Sequence, residues 1–227
     1  VTPVQGVGLL LLYRYYSPWF DNTLGYAFSE TSRLNDENGA YIGIEITRLR
    51  HWRWSVYGDV FRFAGVKYGI PYAPSLGYDA MAETAYMPND QWNMNLRLRA
   101  REKAKRGTYS VRYQFNWSDS GWRLRTQADA NMVCDSVRAF SWGVSIYQDV
   151  QYTFAALPLT IQVRLQGFDV RNWNNRIYNY ENDVLYGYSV PAVYGRGGRA
   201  YINLRWQIIK QLGLYLRVSE TVYGKEW

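Results

Sequence analysis

Strict alternation of apolar and polar side chains is the feature of this chain that most limits its fold. In the segment RAYINLRWQII (199–209), every second residue from Ala200 to Ile208 is apolar, and every intervening residue from Arg199 to Gln207 is polar or amphipathic. Successive side chains of a β-strand point to opposite faces, so this segment predicts a strand with one apolar and one polar face.

The same period recurs along most of the chain. Clear copies are QWNMNLRLRAR (91–101), TYSVRYQFNW (108–117), GWRLRTQADANM (121–132) and LTIQVRLQ (159–166). No convincing amphipathic helix is visible, so the predicted fold class is all-β, with about 12–14 strands. The predicted strands lie near residues 7–16, 39–47, 51–63, 77–87, 91–102, 108–117, 121–132, 140–154, 158–168, 183–190, 199–209 and 212–223. Residues 22–29 are a further candidate, and we expect one more strand within 169–182.

Short connections alternate with longer ones along the predicted strands. Tight turns are expected around residues 48–50, 87–90, 118–121 and 155–158, and longer loops around 64–76, 102–107, 134–140 and 169–182. This alternation is typical of an antiparallel up-and-down transmembrane β-barrel of the outer membrane. No linker or repeat array interrupts the pattern, so we predict one barrel domain over residues 1–227.

Strands with one dry and one wet face also occur in soluble sandwiches, and three features favour the membrane. The predicted strands often reach ten or more residues, which suits a tilted membrane strand better than an average soluble strand. The apolar phases carry almost no charge. Aromatic residues make up 18% of the chain, and tryptophans gather at the ends of the apolar phases, as in the aromatic girdles of membrane barrels. The predicted interfacial aromatic residues are Trp52, Trp54, Trp92, Trp117, Trp122, Trp142 and Trp206.

Arginine is concentrated on the polar phases, and the chain has a net charge of +7. In a barrel these residues would line the lumen and form a basic wall: Arg97, Arg99, Arg101, Arg112, Arg123, Arg125, Arg164, Arg205 and Arg217. Such a wall attracts anions and polyanions. The alternative is a polar interior in which arginines and carboxylates neutralise each other. Tyr57, Tyr147, Tyr201 and Tyr215 accompany the arginines, either as stacking platforms or as lumen packing.

The sequence offers little for catalysis or metal binding. Cys134 and His51 are the only residues of their types, so neither a disulfide nor a structural zinc site is expected. With one histidine, a nucleophile–base pair is not favoured, and we predict neither an enzyme nor a cofactor. No apolar run approaches the roughly 18 residues of a membrane-spanning helix.

Three segments resemble a known family. They are YNYENDVLYGYSVPAVYGRGGRAYINLRW (178–206), YRYYSPWFDNTLGYAFSETSRLNDENGAYIGIEI (13–46) and YGDVFRFAGVKYGIPYAPSLGYDAMAE (57–83). They resemble the barrel region of Bacteroidota outer-membrane proteins that carry helix-hairpin-helix domains, most strongly from Tyr180 to Gly198. The resemblance implies a β-barrel in the bacterial outer membrane and, through the hairpin repeats, DNA uptake. Those repeats are not found in these residues, so no DNA contact is carried over to any residue here. The family also continues into a final strand beyond the counterpart of Trp227.

These observations predict an outer-membrane β-barrel with an Arg- and Tyr-rich lumen that passes solutes, with anions and DNA among the candidates. Its expected partners are membrane lipid, periplasmic or outer-membrane proteins and, through the family resemblance, nucleic acid. Two alternatives stay open: a non-conducting membrane anchor for envelope partners, and a soluble carbohydrate-binding β-protein.

Overall fold

The computed structural model describes residues 4–22, 28–135 and 140–224 and is built from antiparallel strands. Eleven strands form one up-and-down sheet: β1 (Val7–Tyr16), β2 (Glu37–Ile46), β3 (Trp52–Phe63), β4 (Ser75–Tyr86), β5 (Trp92–Lys103), β6 (Arg106–Asp119), β7 (Trp122–Cys134), β8 (Phe140–Thr153), β9 (Leu159–Val170), β12 (Gly195–Ile209) and β13 (Leu212–Tyr223). The short strands β10 (Ile177–Tyr178) and β11 (Ala192–Val193) pair with each other in the β9–β12 connection. The all-β, antiparallel, up-and-down prediction is confirmed.

The contacts group the chain into two compact units. The first contains the residues up to Ala85 together with Arg97–Ser110 and Val133–Phe140. The second contains Tyr86–Leu96, Val111–Met132 and Ser141–Trp227. Each unit therefore combines segments that are separated in sequence.

The sheet has the reverse of a soluble protein's polarity. In β9, Leu165 of the apolar phase is 63% exposed, whereas Arg164 of the polar phase is 1% exposed. The pattern extends to β12, where Tyr201 is buried and Ile202 is exposed, and to β5 and β13, where Leu98 and Leu214 are exposed. The apolar stripes therefore lie on an open surface, and much of the polar phase is buried.

The polar phase is also in register between neighbouring strands. Arg164 of β9 is paired with Asp149 of β8 on one side and with Tyr201 of β12 on the other. Because alternation has period two, a shift of β9 by one residue would move Arg164 to the apolar face and away from Asp149 and Tyr201. This register brings the charged side chains of the second unit together.

Buried apolar residues form only small clusters among the described residues, next to the longer connections. In the first unit, Phe61 and Phe63 at the end of β3 pack with Ile70 of the β3–β4 loop. In the second unit, Phe168 and Val170 at the end of β9 pack with Ile177 and Val193. These clusters hold loops against the sheet and leave the exposed apolar stripes uncovered.

Several predicted details of the connections are wrong. Residues 183–190 do not form a strand: Val184 accepts a backbone hydrogen bond from Gly187, and Tyr186 has a positive φ of 65°, so the chain turns there. The strand expected within 169–182 is only the two-residue β10, while β9 itself continues to Val170. Most of the candidate strand at 22–29 lies outside the described residues.

The expected loop at 102–107 is a tight hairpin turn. Strands β5 and β6 extend to Lys103 and Arg106, and only two residues join them. Ala104 and Lys105 both have positive φ, at 51° and 61°, which is the conformation of a type I′ turn. Without Gly or Asn at these positions, the sequence lacks the usual signal for that turn.

Gly77 of β4 is required by close packing, and its substitution tests that packing. A Cβ at this position would overlap the ring of Phe61 and lie 2.6 Å from the carbonyl oxygen of Glu102. We expect Gly77→Ala to lower the free energy of unfolding by about 1–3 kcal/mol, because overpacking forces neighbours apart. Gly167→Ala is the matched control: a Cβ there meets nothing within 4 Å, so its effect should stay within about 0.5 kcal/mol. Urea titration of both variants makes the comparison, and equal stabilities would contradict the packing.

Candidate functional site

Most arginines of the predicted basic wall are bound to carboxylates. Among the nine, six form ion pairs with described carboxylates. The pairs are Arg97–Glu83, Arg99–Asp79, Arg101–Glu30, Arg112–Asp129, Arg164–Asp149 and Arg217–Glu181. Most of these arginines therefore fit the alternative prediction, in which arginines and carboxylates neutralise each other.

The first unit contains a buried ion cluster that was not predicted from the sequence. Arg14 of β1 donates through Nε to Glu37 at 2.6 Å and through its two terminal nitrogens to Asp59 at 2.8 and 2.9 Å. All three residues are buried. Glu37 also accepts hydrogen bonds from Ser29 and from the backbone amide of Glu30, and Glu30 in turn pairs with Arg101. The one available signal was Arg14 itself, a lone charge within the run LLLLYRYY.

The loop after β3 adds one more cation beside this cluster. Lys67 donates to the carbonyl oxygen of Asn35 at 2.5 Å, and its ammonium lies 4.4 Å from the centre of the Phe63 ring. Burial lowers the pKa of the Lys67 ammonium, against the opposing effect of the Glu37 carboxylate. Lys67 therefore helps to fix the loop over the aromatic pair at the end of β3.

Arg164 is the centre of the polar face in the second unit. Its guanidinium donates to both oxygens of Asp149, at 2.5 and 2.6 Å, and to the carbonyl oxygen of Tyr180 at 2.8 Å. It also lies 3.7 Å from the ring centre of Tyr147 and 5.3 Å from that of Tyr201. Both rings are buried, so these two predicted lumen tyrosines pack around a cation.

The other two predicted lumen tyrosines are less enclosed. Tyr57 is half-buried in the first unit, where its hydroxyl donates to Asp79 at 3.3 Å. Tyr215 is half-buried on β13 and lies under the guanidinium of Arg205, 5.8 Å from the ring centre. The structure thus divides the four predicted tyrosines into a buried pair and two partly open residues.

The long β9–β12 connection folds onto the polar face of its own unit. Asn175, Asn179 and Glu181 of this connection are buried. Asn175 is hydrogen-bonded to Asn131 and Ser141, and the Asn179 side-chain amide lies 2.9 Å from that of Gln127. A segment with this many polar contacts packs against a polar surface, and a soluble apolar core would not hold it.

Glu181 fixes the second half of that connection. Both of its oxygens accept hydrogen bonds from Arg199, at 2.7 and 2.9 Å, and Arg217 binds it as well. Arg217 also pairs with Asp183 at 2.8 Å. Arg217 was predicted from the sequence and Glu181 was not, because a glutamate within YNYEND has no strand position to mark it as inward-facing.

A polar cavity of about 540 Å³ lies in the second unit beside this connection. Its lining is rich in amides and arginines and includes Gln91, Asn93, Asn116, Arg123, Arg125, Asp149, Gln151, Gln162 and Asn182. Arg125 donates through Nε to Asn116 at 2.9 Å, and Asn116 donates to Asn93 at 2.8 Å. This polar cavity is the candidate functional site.

Three predicted basic residues have no carboxylate partner among the described residues: Arg123, Arg125 and Arg205. Arg205 is exposed, and its guanidinium lies over the ring of Tyr215. Arg123 and Arg125 both line the polar cavity, so two of the three predicted basic residues without a carboxylate partner face this site.

Six of the seven predicted interfacial tryptophans lie at strand ends next to short connections. Trp52, Trp92 and Trp122 begin β3, β5 and β7, while Trp54, Trp117 and Trp206 lie within a few residues of such an end. Trp142 is the exception, since it follows the 135–139 connection near the start of β8. Neighbouring rings contact one another, as in the pairs Trp92–Tyr86 and Trp122–Tyr152.

Other site classes have little support in the described parts of the chain. No group of three or more His, Cys, Asp or Glu side chains within them could hold a metal ion. Within the same residues, no helix is long and apolar enough to cross a membrane. Cys134 is a free, half-buried thiol at the end of β7.

Comparison with known proteins gives no family: no protein-family model, no curated protein and no solved structure matches this chain.

Proposed function

We propose that this chain is an outer-membrane β-barrel protein that allows restricted passage of small polar solutes. The observation that carries the proposal is the reversed polarity of the sheet, with Leu165 exposed and Arg164 buried on the same strand. An aqueous environment would favour the opposite arrangement by roughly 25 cal/mol per Å² of apolar surface. Hydrocarbon on the apolar side removes that conflict, and an enclosed polar lumen on the other side accommodates the ion pairs.

Strand length and aromatic placement support the same proposal. The eleven strands of the sheet range from 10 residues in β1 to 15 in β12, and a tilted membrane strand needs about 9–11. Tryptophans at strand ends suit the boundary between hydrocarbon and water. A soluble carbohydrate-binding protein would need the exposed leucines to be covered by another element, and the described part of the chain contains none that covers Leu98 or Leu214.

The β9–β12 connection is the element expected to restrict passage. Val170 and Gly195 are register partners, so the ends of this connection are adjacent and a short Gly/Ser turn can replace residues 172–194. If the connection narrows the lumen, the replacement should raise single-channel conductance in planar bilayers several-fold. Deleting only the exposed tip around Tyr186, which leaves Asn175, Asn179 and Glu181 in place, is the matched control and should leave conductance unchanged.

A non-conducting membrane anchor is the second candidate. The extensive pairing of Arg97, Arg112, Arg164 and Arg217 with carboxylates favours it, because ion pairs fill a lumen without serving transport. The same pairing argues against a lumen that binds DNA along a continuous basic surface. Insertion into bilayers without current, from both the full chain and the loop replacement, would select the anchor. A chain that stays monomeric in detergent-free buffer would contradict both membrane functions.

A further inference from the structure

We infer that the polar cavity binds a small solute through an oxyanion, either a phosphate or a carboxylate group. The inference rests on the proposed function, because we take the bound solute to be the one that passes through the barrel. It concerns a cavity within one compact unit, and the binding step itself requires no membrane.

The charge of the cavity is the first ground for this assignment. Arg123 and Arg125 line it without a carboxylate partner among the described residues. Asp149 is the one carboxylate among the described residues of the lining, and Arg164 already binds both of its oxygens. Guanidinium groups bind oxyanions through paired, charge-assisted hydrogen bonds. The two arginines are therefore the groups left over to bind an anion.

The arrangement of hydrogen-bond donors is the second ground. Arg125 is oriented by one bond from Nε to Asn116, and its terminal nitrogens donate to no described residue. Asn116 is itself oriented by Gln114, which donates to it at 3.1 Å, and by its own bond to Asn93. Arg123 makes no hydrogen bond to any residue of the described segments. Its side chain is exposed and lines the cavity. Free donors next to an oriented amide network suit an oxygen-rich ligand.

The size and boundary of the cavity narrow the ligand class. About 540 Å³ lies within the range of roughly 300–1,000 Å³ found for small-molecule sites. That volume exceeds a bare phosphate ion and leaves room for a small organic group beside it. Amides of Gln151, Gln162 and Asn182 complete the lining and provide partners for hydroxyl groups. A small phosphorylated or carboxylated solute fits these features.

Equilibrium binding of inorganic phosphate to the full chain in detergent tests the inference. We expect saturable phosphate binding to the wild type that falls at least about tenfold in Arg123→Gln/Arg125→Gln, because charge-assisted hydrogen bonds are lost. Arg205→Gln is the control for the single variant Arg123→Gln: each removes one positive charge from the polar phase, and Arg205 lies outside the cavity, so this variant should bind phosphate like the wild type. Acetate should compete with phosphate, and glucose should not. Isothermal titration calorimetry measures the binding constants.

Arg123→Gln alone decides the outcome if the double variant does not fold, since the exposed Arg123 side chain has no partner within the described residues whose loss would unfold the chain. The inference is overturned if the wild type binds no phosphate at tens of millimolar, if the cavity variants bind it as well as the control, or if glucose competes equally. Binding in detergent is independent of conductance. If the protein binds oxyanions but does not insert into membranes, only the proposed function is contradicted. If it conducts but does not bind oxyanions, only the present inference is contradicted.

Discussion

Leu98→Arg should destabilise the protein in phospholipid vesicles by about 2–4 kcal/mol, the measured cost of an arginine on the lipid face near the bilayer midplane. Leu98 lies near the middle of β5 and is 45% exposed on the apolar face. On the surface of a soluble protein the same change would stay within about 0.5 kcal/mol, because arginine is well hydrated there. The free energy of unfolding of the vesicle-inserted protein, measured by urea titration, therefore distinguishes the two environments.

Leu157→Arg is the matched control for that measurement. Leu157 is 53% exposed, like Leu98, but it lies in the short connection between β8 and β9. A membrane barrel keeps such turns in water, so this variant should keep nearly the wild-type stability. Equal effects of the two substitutions would contradict a hydrocarbon environment for the apolar face.

Arg164→Met should lower the free energy of unfolding by about 3–5 kcal/mol, because it leaves the buried Asp149 carboxylate without its cation. It also removes the hydrogen bond to the carbonyl oxygen of Tyr180 and the cation between the rings of Tyr147 and Tyr201. The polar face is thus expected to be most sensitive at Arg164, the residue that joins β8, β9 and the β9–β12 connection.

Arg53→Met provides the comparison for the buried pair. Arg53 lies 4.0 Å from Glu45, and both side chains are more than half exposed, so its loss should change stability by about 0–1 kcal/mol. The double variant Arg164→Met/Asp149→Leu should recover most of the stability lost in Arg164→Met, since no buried charge is left unpaired. If Arg164→Met proved as mild as Arg53→Met, Arg164 could not be a buried structural cation.

Sequence reasoning located strands far better than connections. The limits of β1, β5 and β13 fall within about two residues of their predicted positions, because an alternation sustained over ten or more residues fits a strand and does not fit the 3.6-residue period of a helix. The strand prediction for 183–190 is wrong because DVLYGYSV contains as many apolar residues as a strand does. The turn found there depends on Tyr186, whose φ lies in the left-handed region. The Ala104–Lys105 turn failed for a similar reason, since neither residue type signals a positive φ.

The sequence predicted the arginines of the candidate site but not which of them would lack a carboxylate partner. Arg123 and Arg125 were named with seven other arginines, and nothing in the sequence separates them from Arg112 on the adjacent strand. The difference is that Asp129 lies within reach of Arg112, whereas no described carboxylate pairs with the other two. Ion pairing depends on which side chains meet across strands, and the sequence does not specify those distances.

By itself, the sequence determined that the chain forms long antiparallel strands with one apolar and one polar face, because successive side chains of a strand point to opposite faces. Only the tertiary structure decided which face is buried, which arginines are neutralised, and that the β9–β12 connection folds onto the polar side. Those outcomes depend on contacts between residues such as Arg164 and Asp149, or Glu181 and Arg199. Such partners are brought together by strand register and loop path, neither of which is encoded in any local pattern.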